Sequence, residues 1–261
     1  GTCGLIRAAV PAADVVTLSV PDRANAHVSL AASDRFVAAV WAAAAKSGPT
    51  DIYAAVSHDG GASFHAPVRV NSTPGAARVN GEQPPRVALV PGRGTTPHIA
   101  VIWTAKTASG TTLLTSRSTD GGRAFGRSSH IAGTDGAGNR GWEAIGADTK
   151  GGIHAVWLDH RRLAAGEGTQ QHGVSHGAHQ PVAPDHAEQK TLPSAASATK
   201  PDGVAMAQQS DLYVDTLGDA APPRAIATGV CYCCKTAMAF GPQGEMYLAW
   251  RHVYPGNFRD I

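Results

Sequence analysis

Ser57-His58-Asp59-Gly60-Gly61-Ala62-Ser63-Phe64 and Ser118-Thr119-Asp120-Gly121-Gly122-Arg123-Ala124-Phe125 both read S-x-D-G-G-x-x-F, with Asp59 and Asp120 61 residues apart. A second marker keeps the same spacing. Trp41 ends the apolar run that starts at Phe36, and Trp103, 62 residues on, ends the run that starts at Ile99. Two unrelated markers in one register identify a repeat architecture, in which each unit buries its apolar face against its neighbours. Trp157 and Trp250 end two further runs, Ile153–Trp157 and Met246–Trp250. Their separation, 93 residues, is well beyond one repeat. The excess lies between Arg162 and Pro201, in a Gly-, Gln-, His-, Ala- and Pro-rich stretch without periodicity, and predicts a long inserted loop over 163–200.

Each unit divides into short strands. They are expected near 26–31, 35–45, 50–57 and 64–70 in the first unit, and near 86–90, 98–106, 111–118 and 128–132 in the second. The third has 142–147, 152–159, either 203–208 or 211–216, and 223–228. The fourth has 236–240 and 245–252, with a third strand starting near 258. With 30 glycines and 17 prolines, the chain is punctuated too often for helical repeats. The pattern predicts an all-β fold, a β-propeller of four-stranded antiparallel blades. The units are placed at about 26–79, 80–138, 139–229 and, incomplete, 230–261, after an N-terminal extension or closure segment at 1–25. About three and a half blades leave an open edge. The expectation is a ring of roughly six or seven blades, completed by further C-terminal sequence or by another chain.

The repeated motif is read as the turn between third and fourth strands. The carboxylates of Asp59 and Asp120 accept backbone N–H groups, and the hydroxyls of Ser57 and Ser118 assist. Gly61 and Gly122 supply positive φ, and Phe64 and Phe125 return into the core. The third unit lacks the motif, and a turn near Gly218-Asp219 takes its place.

This pattern resembles the Asp-box (BNR) repeat of sialidases and sialidase-like propellers, over about Ala26 to Ile261. Cys231-Tyr232-Cys233-Cys234-Lys235-Thr236 and Trp250-Arg251-His252-Val253-Tyr254-Pro255-Gly256-Asn257 also resemble a group of bacterial exported sialidase-like propellers. The resemblance implies an exported protein, whether periplasmic, surface-bound or secreted. A formal net charge of +2 without a Lys/Arg block gives no reason to expect a nucleic-acid partner. No run approaches the roughly 18 to 20 apolar residues of a membrane span.

In antiparallel blades, the loop after the second strand and the link to the next blade share one face. The S-x-D-G-G-x-x-F turns mark the other. On the first face the reactive residue types gather over the third and fourth blades: Asp159, His160, Arg161, Arg162, Arg251, His252, Tyr254, Arg140, Glu143 and the cysteine cluster. Past Trp41 and Trp103 the equivalent residues are bland.

Three readings of the cysteines stay open. Two of Cys231, Cys233 and Cys234 form a local disulfide, with the remaining one paired to Cys3 or to a cysteine outside this sequence. Alternatively, with His160 or His252, they hold a thiophilic metal, copper or zinc. The third reading is a redox pair. His172, His176, His179 and His186 lie in the insertion, where Gly173, Gly177 and Pro181 argue against a helical metal site.

The first functional expectation is a binding or metal-site propeller centred on Cys231–Cys234, His160 and His252. The resemblance implies a second: a glycoside hydrolase of the exo-sialidase type, acting on sialic acid or another acidic carbohydrate. Sialidases grip a carboxylate with three arginines and use an Asp acid and a Tyr nucleophile assisted by Glu. Arg140, Arg161, Arg162 and Arg251 are the candidates for the grip, Asp159 for the acid, Tyr254 for the nucleophile and Glu143 for its partner. The usual F/Y-R-I-P opening is absent; Gly4–Pro11 is a distant echo. A third expectation is a structural or protein-binding propeller.

Overall fold

The computed structural model describes residues 15–92, 94, 96–166 and 203–261, without the side chains of 164–166. Cys3, Gly4–Pro11 and the insertion histidines lie outside the described residues. Three four-stranded antiparallel sheets follow one another along the chain. The first is β1 (Arg23–Ser33), β2 (Phe36–Ala45), β3 (Thr50–Ser57) and β4 (Val68–Arg69). The second is β5 (Arg86–Val90), β6 (His98–Thr107), β7 (Gly110–Ser118) and β8 (Ser129–His130). The third is β9 (Arg140–Ala147), β10 (Ile153–Asp159), β11 (Asp211–Thr216) and β12 (Arg224–Thr228). Short helices α1 (Arg161–Gly166) and α2 (Gly203–Gln208) stand between β10 and β11. The third strand of this sheet is therefore 211–216, and 203–208 is helical.

Each sheet is a meander, with its strands paired in chain order. The first strands β1, β5 and β9 touch in succession, and β9 touches β13 (Ala237–Phe240) of the fourth unit. Consecutive sheets are thus stacked around the line of their first strands, as propeller blades are.

The Trp marker now has a physical reason. Trp103 packs with Ile52, Val40 and Val56 of the first blade, and Trp157 with Ile102, Ala100 and Leu113 of the second. Trp250 packs with Leu158 and Leu212 of the third. Each indole fills the space between its blade and the preceding one, a large apolar burial per repeat. Among the described residues no blade precedes Trp41; Leu18 and Val20 pack against it and Asn25 accepts its indole N–H at 2.9 Å.

The S-x-D-G-G-x-x-F segments are tight side-chain-bonded turns. Ser57 Oγ donates to Asp59 Oδ1 at 2.6 Å and accepts from Gly61 N at 2.8 Å, while Ser63 N donates to Asp59 Oδ1 at 2.9 Å. The second copy repeats this, with Ser118 Oγ on Asp120 Oδ1 at 2.7 Å and Gly122 N on Ser118 Oγ at 2.8 Å. Hydrogen bonds from Ser57 and Ser63 hold the Asp59 carboxyl well below the ordinary carboxylate range. Gly122 sits at φ 86°, where a Cβ would lie 2.6 Å from Val56 Cγ1. Phe125 packs between the first and second blades, and Phe64 beside Trp41. In the third blade Asp219 N donates to Thr216 O and closes the replacement turn.

A third repeating element was not anticipated. At the start of each third strand, a polar side chain ties to a residue at or just past the end of the fourth. Asn71 Nδ2 donates to Asp51 Oδ1 at 2.7 Å, Thr112 and Thr134 hydroxyls meet at 2.9 Å, and Thr228 Oγ1 donates to Asp211 Oδ1 at 2.7 Å. These clasps accompany fourth strands of only two residues in the first two blades.

The fourth unit departs from expectation. The strand expected over 245–252 is two: β14 (Met246–Ala249) pairs with β13, whereas β15 (His252–Val253) pairs with β16 (Arg259–Asp260). The break has a cause. Cys231 N donates to Arg251 O and Val253 N to Gly229 O, so the inter-blade link takes over the backbone groups that β13 would use.

Candidate functional site

The ends of β10 and β12 and the starts of β9 and β11 meet on one face of the third blade. Asp159 is the hub there. Its side chain is fully buried, and its carboxylate accepts from Arg161 Nε at 2.9 Å, Arg161 Nη2 at 2.6 Å, Arg161 N at 3.0 Å, Arg140 Nε at 3.3 Å and Trp157 Nε1 at 3.2 Å. Burial pushes this carboxyl up, but Arg161 and Arg140 outweigh it and hold Asp159 below its ordinary value. Arg140 is only 2% exposed and also donates to the carbonyls of Gly136, Ala137 and Gly138. Arg161 lies 4.4 Å over the Tyr213 ring. Arg162 makes a bidentate pair with Asp211, at 2.9 and 2.7 Å.

Three of the four candidate grip arginines are therefore committed to internal carboxylates. Arg251 is exposed, with no side-chain partner among the described residues. The acid candidate Asp159 is ionised and enclosed.

Glu143, on β9, is fully buried, and neither carboxylate oxygen has a hydrogen-bond partner among the described residues. Burial pushes its carboxyl up to about 7, against a weaker opposing pull from Arg86. Arg86 Nε donates to the backbone carbonyl of Glu143 at 3.1 Å. Tyr254 is half-exposed in the turn between β15 and β16, its ring 4.5 Å from that of His252. Among the described residues no hydrogen bond joins Tyr254 to Glu143 or Asp159.

His160 turns inward. It is 5% exposed, packs 5.4 Å from the Trp142 ring, and burial lowers its pKa to about 4. Trp142 holds φ 51°, an unusual conformation for a bulky residue, and its carbonyl accepts from Thr236 Oγ1 at 2.6 Å.

Thr236 ends the sulfur-bearing link. Cys231 and Cys234 form a disulfide across a turn in which Cys234 N donates to Cys231 O. Cys233 is free and exposed, with its Sγ 4.0 Å from Cys231 Sγ. All three sulfurs lie within 4.8 Å of one another, and among the described residues no histidine or carboxylate completes that group. Cys231 is buried with Ala207 and Val253, and Arg259 Nη1 stands 3.8 Å from its sulfur. The structure thus brings the three cysteines together and leaves His160 against Trp142 and His252 against Tyr254.

Asp211, Tyr213 and Arg259 were missed from the sequence. Asp211 had a signal: it stands two residues before Tyr213, as Asp51 stands two before Tyr53. Arg259 carried none, since its place depends on the β15–β16 hairpin.

No family model matches the chain, and no curated protein matches it. Among solved structures, the chain is similar to the α-L-arabinofuranosidase Arb93A from Fusarium graminearum, in complex with an iminosugar inhibitor. Identity is 13%, TM-score 0.46, with 89% of this chain and 57% of that chain covered. It is also similar to the K499G mutant of NanB sialidase from Streptococcus pneumoniae, at 10% identity and TM-score 0.42, covering 82% of this chain and 25% of that one. The chain spans about a quarter of the sialidase and somewhat over half of the arabinofuranosidase.

Proposed function

We propose that this chain belongs to an exported, sialidase-like propeller of the Asp-box kind, with its working face over the third and fourth blades and a soft-metal site at its centre. The three sulfurs of Cys231, Cys233 and Cys234, within 4.8 Å of one another, carry this reading. Thiolates select copper(I) and zinc, and three of them suffice for a trigonal copper(I) site. The metal requires the reduced state, since a disulfide sulfur has no thiolate to offer. The link is held on both sides, by Cys231 N on Arg251 O and by Thr236 on Trp142 O, which keeps the sulfurs together when the disulfide opens. Exposed Val28 and Leu30 on β1 and Tyr247 on β14 fit covering by further blades of the ring.

The test is titration of the reduced and the oxidised protein with copper(I) and with zinc against a competing chelator. One ion per chain is expected for the reduced protein only. Absence of binding by the reduced protein sinks the reading, and Cys233→Ser should weaken binding by about tenfold or more.

A second reading, a glycoside hydrolase acting on an acidic sugar, is favoured by one observation. Neither carboxylate oxygen of Glu143 has a partner among the described residues, and burial raises its carboxyl to about 7, the range a general acid uses. In this reading the proton sits on Glu143 and not on Asp159. Turnover of a fluorogenic sialoside, abolished by Glu143→Gln, supports it; no turnover removes it.

A further inference from the structure

The disulfide and the free thiol beside it form more than a dormant metal site. We infer that Cys233 and the Cys231–Cys234 disulfide make up a thiol–disulfide exchange site that moves the disulfide onto the exposed Cys233, where a low-molecular-weight thiol reaches it in full. The inference goes beyond metal binding and does not depend on it.

Cys231 is 1% exposed, so a thiol from solvent has no path to its sulfur. Cys233 is exposed and already stands 4.0 Å from that sulfur, near van der Waals contact for two sulfur atoms. Attack is by a thiolate on a disulfide sulfur. The Cys233 thiol releases its proton to water. Its sulfur then bonds to Cys231 Sγ as the Cys231–Cys234 bond breaks. The electron pair leaves on Cys234 Sγ, which takes a proton from water. One thiol and one disulfide stand on each side, so neither oxidant nor reductant is consumed.

The surroundings favour this step. Negative charge spreads over three sulfurs in the transition state, and the Arg259 guanidinium lies 3.8 Å from the central one. All three sulfurs are carried by one four-residue segment, so the encounter is intramolecular, and it requires Cys233 to swing into line with the Cys231–Cys234 bond. After exchange the disulfide ends on Cys233, at the surface. A thiol of the cysteine or glutathione kind attacks there, bonds to Cys233 Sγ and displaces Cys231 as a thiol. A second equivalent releases the small molecule as its own disulfide and leaves three protein thiols.

The test uses the protein as isolated, oxidised and without added metal. It therefore separates this inference from the metal reading, which is tested on reduced protein. Free thiol is blocked with N-ethylmaleimide, the disulfide is reduced, the released thiols are alkylated with iodoacetamide, and fragment-ion spectra locate each label. The expected result is one maleimide in the 231–234 segment, shared between Cys233 and Cys234, and none in that segment of Cys233→Ser; Cys3 is read separately from its own fragment. Maleimide confined to Cys233 after prolonged incubation overturns the inference. Maleimide persisting on Cys234 in Cys233→Ser also overturns it, because Cys233 is then not the source of the electron pair.

Discussion

Replacing Glu143 with glutamine keeps the shape of a fully buried side chain and removes its ionisation. In the unfolded chain the carboxyl loses its proton near 4.5, and in the folded protein only near 7. Between those values the folded state binds more protons than the unfolded state. Stability from this group is thus full below about pH 4.5, falls as pH rises, and is gone once pH has passed through 7. At about 1.4 kcal/mol per pH unit of separation, the loss totals about 3 kcal/mol, most of it between pH 5 and 8. Urea unfolding at several pH values across that range measures it. The wild-type midpoint should fall by the equivalent of about 2 to 3 kcal/mol relative to Glu143→Gln, whose amide is neutral throughout. The amide stays unpaired in the same place, so its own cost shifts the variant's curve without tilting it. Parallel pH profiles for the two proteins would refute the reasoning and show that the carboxylate finds water or the Arg86 guanidinium.

Asp159→Asn should destabilise the protein by about 3 kcal/mol or more, because it leaves Arg140 and Arg161 without their shared carboxylate; chemical unfolding at pH 7 reads this. A cost under about 1 kcal/mol would mean that those guanidinium groups are hydrated. Gly122→Ala and Gly60→Ala form a matched pair. Both positions have positive φ, but only Gly122 has a neighbour within 3 Å of the added methyl group, so its substitution should cost about 2 kcal/mol more. Thr228→Val, which removes the clasp on Asp211, should cost about 1 kcal/mol and speed amide exchange in β12 before β9 or β10.

Blade architecture was legible because its signals are local and repeat. Asp59 and Asp120 each report a turn that their own blade needs, and the four tryptophans, within or just past second strands, each report a packing position. The fourth unit was less legible at 245–252, since its break arises from Gly229 and Cys231 competing for backbone groups some twenty residues away. The site was legible by face and residue type but not by pairing. Asp159, Arg140 and Arg161 read as an open polar rim, whereas the register that sets Asp159 opposite Arg140 and Asp211 turns them into an enclosed ion cluster. His160 and His252 follow each Trp at similar distances, yet one packs inward on Trp142 and the other on Tyr254. Strand alternation at a bulge decides such outcomes, and β9 carries a bulge between the partners of Val156 and Leu158.

The Arg162–Asp211 pair has a consequence for how this repeat varies. The two residues stand on either side of the long stretch that separates β10 from β11, and their fork of hydrogen bonds closes its neck. With the neck closed, the ladder from Asp159–Asp211 to His154–Thr216 keeps its register whatever is spliced between. Each doubling of the spliced length then adds only about 0.6 kcal/mol of closure entropy. The position is a graft point between α1 and α2: length added or removed there leaves the blade beneath in shape, whereas α2 itself is fixed by Ala207 against Cys231 and Val253.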